Sequence, residues 1–565
     1  MIYRGSLIIK LSKEKIMKNK KSNAIFNTSD FPVGLLRAGI CRGTGADPDE
    51  LKEKPMIAIV NSHTEFNPGH MHLRELATRA KEGVHAGGGI PFEFNVPAPC
   101  DGMTEGHEGM RYVLPQRDLI ADMVETHVNS MMFDGMVMIA GCDKIIPGML
   151  MAAARLDLPA IFITGGPDSF NIRFLPSMKD SIDHKDYPTD YISKNASATC
   201  ATCGSCEVMG TANTLQCMVE AMGMCLPGSA NIPAFHSEKL LYARKTGIHI
   251  VKMVKDGLNV RKIMTREALI NALIVDLAIG GSTNAALHLP AIANNLGFDF
   301  PLSLFNEFNK KIPTLCSISP SGPHGMIDLY KAGGTLGVMK ALKDNINLDC
   351  IQVYNMKMSE ILEYALIRDE TVIRSRDKAF RNEGSTAVLF GNLAPEGSVV
   401  KQSAVIPEML KFTGPARVFE SEHDALAAFR DKTIQDGIVM VIRNEGPKGG
   451  PGMPETLAIT LAMDVSGLKH IAMITDGRFS GGSAGPCIGH ISPEAADGGP
   501  IAAIRDGDEI TIDIPGRTLS VKLTDDEIKK RAAEHNPPKR EITSSFMRRY
   551  IKLVSSAAKG AILMD

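Results

Sequence analysis

Between Gln116 and Ala160 the chain alternates element types in an order that few folds accommodate. Leu119, Ile120, Met123, Val124 and Val128 recur at helical spacing, and "GMVMIAG" then reads as a strand. "CDKIIP" follows as a loop, "GMLMAAARL" as a helix and "PAIFITGG" as a further strand. Strand, crossover helix and strand in that order mean parallel pairing with a right-handed connection. In such sheets ligands collect just beyond the carboxyl ends of the strands, where the loop "GCDK" from Gly141 to Lys144 falls. Upstream, "PMIAIVNSH" at 55–63 reads as another buried strand running into a polar, functional loop.

The texture changes between Asp344 and Phe380. Beyond it, "STAVLFG", "DGIVMVIRNEG", "HIAMITDG" and "EITIDIPGRTLSVKL" are strand-like runs separated by Gly-rich turns, with a hairpin at Pro515-Gly516. A length of 565 residues exceeds what one hydrophobic core usually serves. The expected division is an N-terminal extension at 1–33, an α/β domain at 34–374 and a β-rich domain at 375–565.

Hydrophobic residues at 44% and charged residues at 22% are the balance of a globular chain. A formal net charge of -2 supplies no field for nucleic acid or an anionic membrane. The one basic run, Lys13 to Lys21, is expected to be a solvated tail. "SLIIKLS" is too short for the apolar core of a signal peptide, and no run of about 18 apolar residues is present. The expected compartment is the cytoplasm. Eleven cysteines are too sparse for a disulfide scaffold, yet six of them lie between Cys142 and Cys225.

Four stretches concentrate reactive groups. "PCDGMTEGHEGM" offers Cys100, Asp101, Glu105, His107 and Glu108 among glycines that let a backbone wrap a hard cation, with a solvated turn as the alternative. "GCDKIIPGM" sets a soft thiolate, Cys142, beside a hard carboxylate, Asp143, and an amine, Lys144. A core cysteine followed by a surface ion pair is its competing reading. "CATCGSC" spaces Cys200, Cys203 and Cys206 as an iron–sulfur loop would, but lacks the completing Cys-Pro, and no Cys/His couple nearby makes a zinc knuckle. Cys217 and Cys225 read as core residues.

The last stretch pairs "NEGPKGGPGMPE" with "ITDGRFSGGSAG". These glycine-dense loops match neither a phosphate-binding fingerprint nor a hydrolase serine, and leave Ser480 as a proton acceptor only beside a cation. "GGSTNAALHL" reads as a helix start capped by Ser282 or Thr283, with free N–H groups able to hold a carboxylate or phosphate.

Taken in order from about Gly34 to the C-terminus, these loops resemble the dihydroxy-acid/6-phosphogluconate dehydratase family. "PGHMHL", "CDGMTEGHEGMRYVLPQRDLIAD", "GCDKIIPGMLMAAARL", "CGSC", "GGSTNAALHL", "GGPGMPE" and "TDGRFSGG" carry the likeness. "GHEGMRYVLPQRDLIAD" and "GGSTNAALHL" look most like the dihydroxy-acid dehydratase branch. The resemblance implies an α/β domain, a β-barrel-like domain, a homodimer, and an iron–sulfur cluster beside Mg2+. By motif, Cys142 and Cys206 would ligate the cluster, Asp101, Asp143 and Glu455 the magnesium, with Lys144 as a carbamate ligand and Ser480 as the base. Ser282, Thr283 and Asn284 would face the substrate. Members with a three-cysteine [2Fe-2S] site carry a cysteine where this chain has Gly69. Cys203 and Cys100 are therefore both candidates for the third ligand, and the cluster is [2Fe-2S] or [4Fe-4S].

The implied reaction removes water from a 2,3-dihydroxy carboxylate, such as 2,3-dihydroxyisovalerate or 2,3-dihydroxy-3-methylvalerate, to give the 2-oxo acid of branched-chain amino-acid biosynthesis. Dehydration of a sugar acid or of 6-phosphogluconate is the alternative within the family. From another class, a non-catalytic iron–sulfur redox or sensor protein would need the cysteines but not Asp101, Asp143, Glu455 and Ser480.

Overall fold

The computed structural model describes residues 20–25, 31–169, 202–481, 483 and 485–564, without the side chains of 464 and 465. Cys200 and residues 1–19 lie outside these. The four apolar runs of the N-terminal region form one parallel sheet, β1 (Met56–Asn61), β2 (Ile90–Asn95), β3 (Gly135–Ala140) and β4 (Ala160–Thr164), in the order β2-β1-β3-β4. Ile57 sits opposite Gly135, and Met136 opposite Ala160. Every residue of β1, β3 and β4 is buried, as continuous Ile, Val and Met runs require in a sheet covered on both faces. β2 at the edge alternates instead.

Helices Leu73–Gly87 and Ser237–Asp256 pack on each other and on this sheet. Their backbones approach through glycine. A Cβ at Gly83 would lie 2.0 Å from Arg244 O, and one at Gly247 2.0 Å from Ala80 O. The helix after β3 spans Ile145–Leu156 and so begins three residues earlier than its apolar pattern suggests. Ile146 N bonds Cys142 O and Gly148 N bonds Lys144 O, and Pro147 is tolerated because the first turn leaves N–H groups unused anyway. Residues 145–154 are all buried, which is how a helix apolar on every side must sit.

The C-terminal strands close into an eight-stranded barrel. β5 (Thr386–Gly391), β6 (Ala394–Lys401), β7 (Lys411–Phe419), β8 (Val439–Ile442), β10 (Ala472–Thr475), β12 (Cys487–Ser492), β13 (Glu509–Asp513) and β14 (Thr518–Val521) follow the ring order β10-β12-β6-β5-β14-β13-β7-β8. Closure removes the exposed edges that an open sheet would present. The Pro515-Gly516 turn joins antiparallel β13 and β14. Outside the ring, the two-residue strands β9 (Glu455–Thr456) and β11 (Arg478–Phe479) pair in parallel.

The basic run is not wholly a solvated tail. Lys20, 5% exposed, donates to Leu51 O and Lys54 O at 2.8 Å each, while Ser22 bonds Asp134. Two carbonyls at the end of a short helix give the ammonium the partners it would otherwise find in water. Among the described residues no helix is long and apolar enough to cross a membrane.

Candidate active site

All four parallel strands deliver a loop to the same end of the sheet. Gly69 lies beyond β1, Asp101 beyond β2 and Cys142 to Lys144 beyond β3. Beyond β4, Asp168 N bonds Ser205 O and Ser205 N bonds Gly166 O, which seats the cysteine loop there. Gly204 N donates to Pro68 O, tying that loop to the one after β1. Gly204 has φ +131, and a Cβ there would meet Asp168 N at 2.4 Å, so only glycine fits.

Asp101, Asp143 and Glu455 each offer an oxygen within 4.8 Å of the others. Lys144, 0% exposed, places its ammonium among them, 2.6 Å from Asp101, 2.5 Å from Asp143 and 3.7 Å from Glu455. The "CDK" acid and amine are thus buried and no surface pair. Burial first, and then the Asp101 charge, pushes the Asp143 carboxyl up to about 8. Burial acts the same way on Asp101, but Lys144 and Arg478 outweigh it and hold that carboxyl low. Burial and Arg478 draw the Lys144 amine down, and the three carboxylates more than reverse this. Three acids facing two fixed cations are tolerable in a dry site only as a network.

Glu455 reaches this nest from the barrel side. In the β9–β11 pair Arg478 stands opposite Glu455, and its guanidinium bonds the Glu455 carboxylate while lying 3.8 Å from Asp101. Ser480 follows two residues on, half-buried, with its N–H on Thr456 O at 3.2 Å. Gly481 then rests against the α/β domain, where a Cβ would lie 2.9 Å from Ser282 Oγ and 3.2 Å from Thr211 N. Asn284 Nδ2 donates to Thr211 Oγ1 at 2.8 Å and to Glu455 Oε2 at 3.4 Å, and Thr211 and Ser282 hydroxyls pair at 2.8 Å.

Ser282 Oγ accepts from Asn284 N at 3.3 Å and so caps the turn leading into the helix that follows, while Thr283 Oγ1 makes no cap bond. That helix spans Ala285–Leu296 with Asn284 as N-cap and no side-chain cap bond. The N–H groups of Ala285, Ala286 and Leu287 close onto the carbonyls of Ser282, Thr283 and Asn284, so they are not free for an anion. What points outward from this turn is side-chain oxygen. Thr283 Oγ1 and Asn284 Oδ1 are buried without a partner.

Of the cysteines, Cys206 is exposed while Cys100, Cys142 and Cys203 are half-buried. Burial pushes the Cys142 thiol well up, with the neighbouring Cys100, Asp143 and Asp101 adding to it, against an Asn67 Nδ2 contact at 3.7 Å. Burial likewise raises Cys100 and Cys203. A Cβ on Gly69 would lie 3.5 Å from Cys142 Sγ and 3.6 Å from Gly204 O. Asn213 holds the Cys206 carbonyl. Cys217 and Cys225 are fully buried core residues.

The carboxylates fit a hard cation, with Cys142 next to Asp143 in the chain. Asp101 Oδ1 is buried with no hydrogen-bond partner, and the Lys144 ammonium stands where three carboxylates converge, as a cation would. Thiols that burial keeps protonated become thiolates when a metal takes the charge. Among the described residues only the carboxylate trio brings three ligand atoms within 4.8 Å. Cysteines on separate irons of a cluster do not converge on one point, so they need not meet that limit. Arg478 and Asn67 are missed by sequence reasoning. The first touches the nest only through the β9–β11 register, and the second through a loop that folds Cys142 against Gly69.

Acids, a buried lysine and a serine thus meet between a parallel α/β sheet and a closed barrel. Residues 54–361 match the dihydroxy-acid/6-phosphogluconate dehydratase N-terminal family and residues 371–561 its C-terminal counterpart. The chain is 49% identical to a dihydroxy-acid dehydratase of Thermodesulfovibrio yellowstonii, covering 92% of this chain and 96% of that protein. It is 48% identical to one of Lachnospira eligens over 92% and 95%, and 46% identical to one of Methanococcoides burtonii over 95% and 99%. The chain belongs to the dihydroxy-acid/6-phosphogluconate dehydratase family.

Proposed function

We propose that the chain is a dihydroxy-acid dehydratase, a hydro-lyase that converts 2,3-dihydroxyisovalerate and 2,3-dihydroxy-3-methylvalerate to their 2-oxo acids in branched-chain amino-acid biosynthesis. The observation that carries this reading is the convergence of Asp101, Asp143, Glu455 and Lys144 beside Cys142, with Ser480 two residues from the Arg478 that pairs Glu455. It is supported by the relatives' name and coverage.

Asp101, Asp143 and Glu455 would hold Mg2+, joined by Lys144 as its carbamate, which turns the amine among the acids into a further oxygen ligand. Cys142 and Cys206, with Cys203 or Cys100, would hold the iron–sulfur cluster. When bound, these groups supply Lewis acidity at the substrate carboxylate with its 2-hydroxyl and at the 3-hydroxyl. The chain's own residues do the rest. Ser480, as its alkoxide, takes the proton from C2, and the C2–H electron pair becomes the C2–C3 double bond as the C3–O bond breaks with its pair on oxygen. The proton then passes from Ser480 to the departing hydroxide, which leaves as water and restores the alkoxide. The resulting enol then tautomerises to the 2-oxo acid. Ser282, Thr283 and Asn284 orient the substrate, the Thr283 hydroxyl donating to its carboxylate and Asn284 Oδ1 accepting from one of its hydroxyls. Arg478 bonds the Glu455 carboxylate and keeps it aimed.

The protein would act as a homodimer in the cytoplasm on a small anionic substrate. Anaerobically reconstituted protein assayed on 2,3-dihydroxyisovalerate, gluconate and 6-phosphogluconate tests the reading. Release of 2-oxoisovalerate at the highest kcat/KM is expected. A preference for either sugar acid refutes it, and zinc in place of iron and sulfide on metal analysis refutes the cluster.

A further inference from the structure

A second buried lysine stands at the domain seam. Lys401 ends β6, is 3% exposed, and donates to Gly481 O at 3.2 Å and to Met209 O at 3.4 Å. The first acceptor belongs to the barrel turn that carries Ser480. The second belongs to the segment between the cysteine loop and helix Thr211–Ala221. The acid that acts on Lys401 is Asp276 of helix Arg266–Ile279, fully buried, with neither carboxyl oxygen in a hydrogen bond; burial pushes this carboxyl up to about 8 and the Lys401 charge draws it down. Asp276 in turn presses on the Ser282 turn, since a Cβ at Gly281 would lie 2.0 Å from Asp276 Oδ1.

Two carbonyls and one acid are thin solvation for a buried ammonium. Replacing a buried charge pair with apolar or neutral groups of similar volume is often neutral or stabilising. The barrel therefore gains little stability from keeping the pair, while the lysine's hydrogen bonds join the residue after Ser480 to the segment before helix Thr211–Ala221. We infer that Lys401, countered by Asp276, is a positioning residue for Ser480, tying the carbonyl that follows the serine to the α/β domain and so setting where its hydroxyl stands over substrate. This rests on the reading of Ser480 as the acceptor of the C2 proton.

The test uses reconstituted full-length protein and two double variants, Lys401→Met with Asp276→Asn and Lys401→Gln with Asp276→Asn. Each removes both charges, so no buried ion is left alone. Tm, iron content, kcat, KM and the rate of C2 proton exchange with deuterated solvent are measured on 2,3-dihydroxyisovalerate. Both variants are expected to keep the parental iron content. In the methionine variant kcat and C2 exchange fall together by about 30-fold or more with KM little changed, the cost of a misplaced reacting group. The glutamine variant keeps a donor for the two carbonyls and recovers at least about 5-fold of that loss. Parental kcat and exchange in the methionine variant overturn the inference, as does activity that tracks Tm alone across the set. If the glutamine and methionine variants are equally impaired, the hydrogen-bonded tie is overturned. A parent chain that neither exchanges the C2 proton nor releases a 2-oxo acid overturns the functional reading itself, and the inference with it.

Discussion

Lys144 condenses the chemistry of the site into one side chain. Its ammonium is wholly buried and touches two carboxylates directly, so its neighbours' ionisation and its own are a single electrostatic problem. Ser480 is the complementary case, a hydroxyl whose position comes from backbone pairing to the Glu455 strand. Ser480→Ala is expected to retain the cluster's visible absorbance while C2 proton exchange falls by at least about 100-fold, in line with the loss of a general base. Exchange at the parental rate would exclude Ser480 as the base. Away from the nest, burial first and the Glu445 charge push the Glu422 carboxyl up to about 7, against a bond from Ile459 N. The folded state thus holds this proton longer than the unfolded chain. Its stabilising contribution is full below the ordinary value of 4.5 and is lost as pH rises through about 7. Glu422→Gln should raise Tm relative to the parent by roughly 1–3 °C at pH 8 and by less at pH 5. Equal differences at the two pH values would contradict it.

At the scale of elements, the strand-end loops carry the proposed site residues and the helix pair behind them packs on the sheet. Where helices Leu73–Gly87 and Ser237–Asp256 cross, the Gly83 and Gly247 backbones touch their neighbours, so there is no room for a methyl group. Gly247→Ala is expected to cost about 1–3 kcal/mol in denaturant unfolding by overpacking a rigid contact. An unchanged midpoint would show that the helices part freely. Gly69 is the opposite kind of glycine. Its Cβ position lies 3.1 Å from Asn67 Oδ1, a side-chain atom that can shift slightly, and 3.5 Å from Cys142 Sγ. Gly69→Cys should therefore fold and add a thiolate to the cysteine face, slowing the loss of cluster absorbance in air relative to the parent. Decay at the parental rate would place the new thiol outside the cluster's reach.

For the whole molecule, the site exists only because a barrel and a parallel sheet meet, with Glu455, Arg478 and Ser480 on one side and Asp101, Cys142, Asp143 and Lys144 on the other. The hard and soft donor sets are separate. A brief chelator treatment that strips magnesium should abolish dehydration and leave the cluster spectrum intact, and Mg2+ should restore the rate. Activity that survives chelation would remove the cation from the scheme.

Much of this was legible before folding. Apolar runs at 55–61, 135–140 and 160–164 are confined to buried strands because their periodicity admits no other burial, and Cys142, Asp143 and Lys144 stand in the loop that follows one of them. The resemblance added which of them act together. Residue patterns could not show that Arg478 faces Glu455, that Lys20 is buried, or that the N–H groups of 285–287 are taken by the carbonyls of 282–284. Nor could they bring Lys401 to the turn after Ser480. By itself the sequence determined the main element types, five of the eight barrel strands and the stock of reactive side chains, because these depend on local periodicity and composition. Only the tertiary structure decided which charges share a dry space, because contacts hundreds of residues apart are set by strand register and domain packing, and electrostatic energies in such a space depend on ångströms.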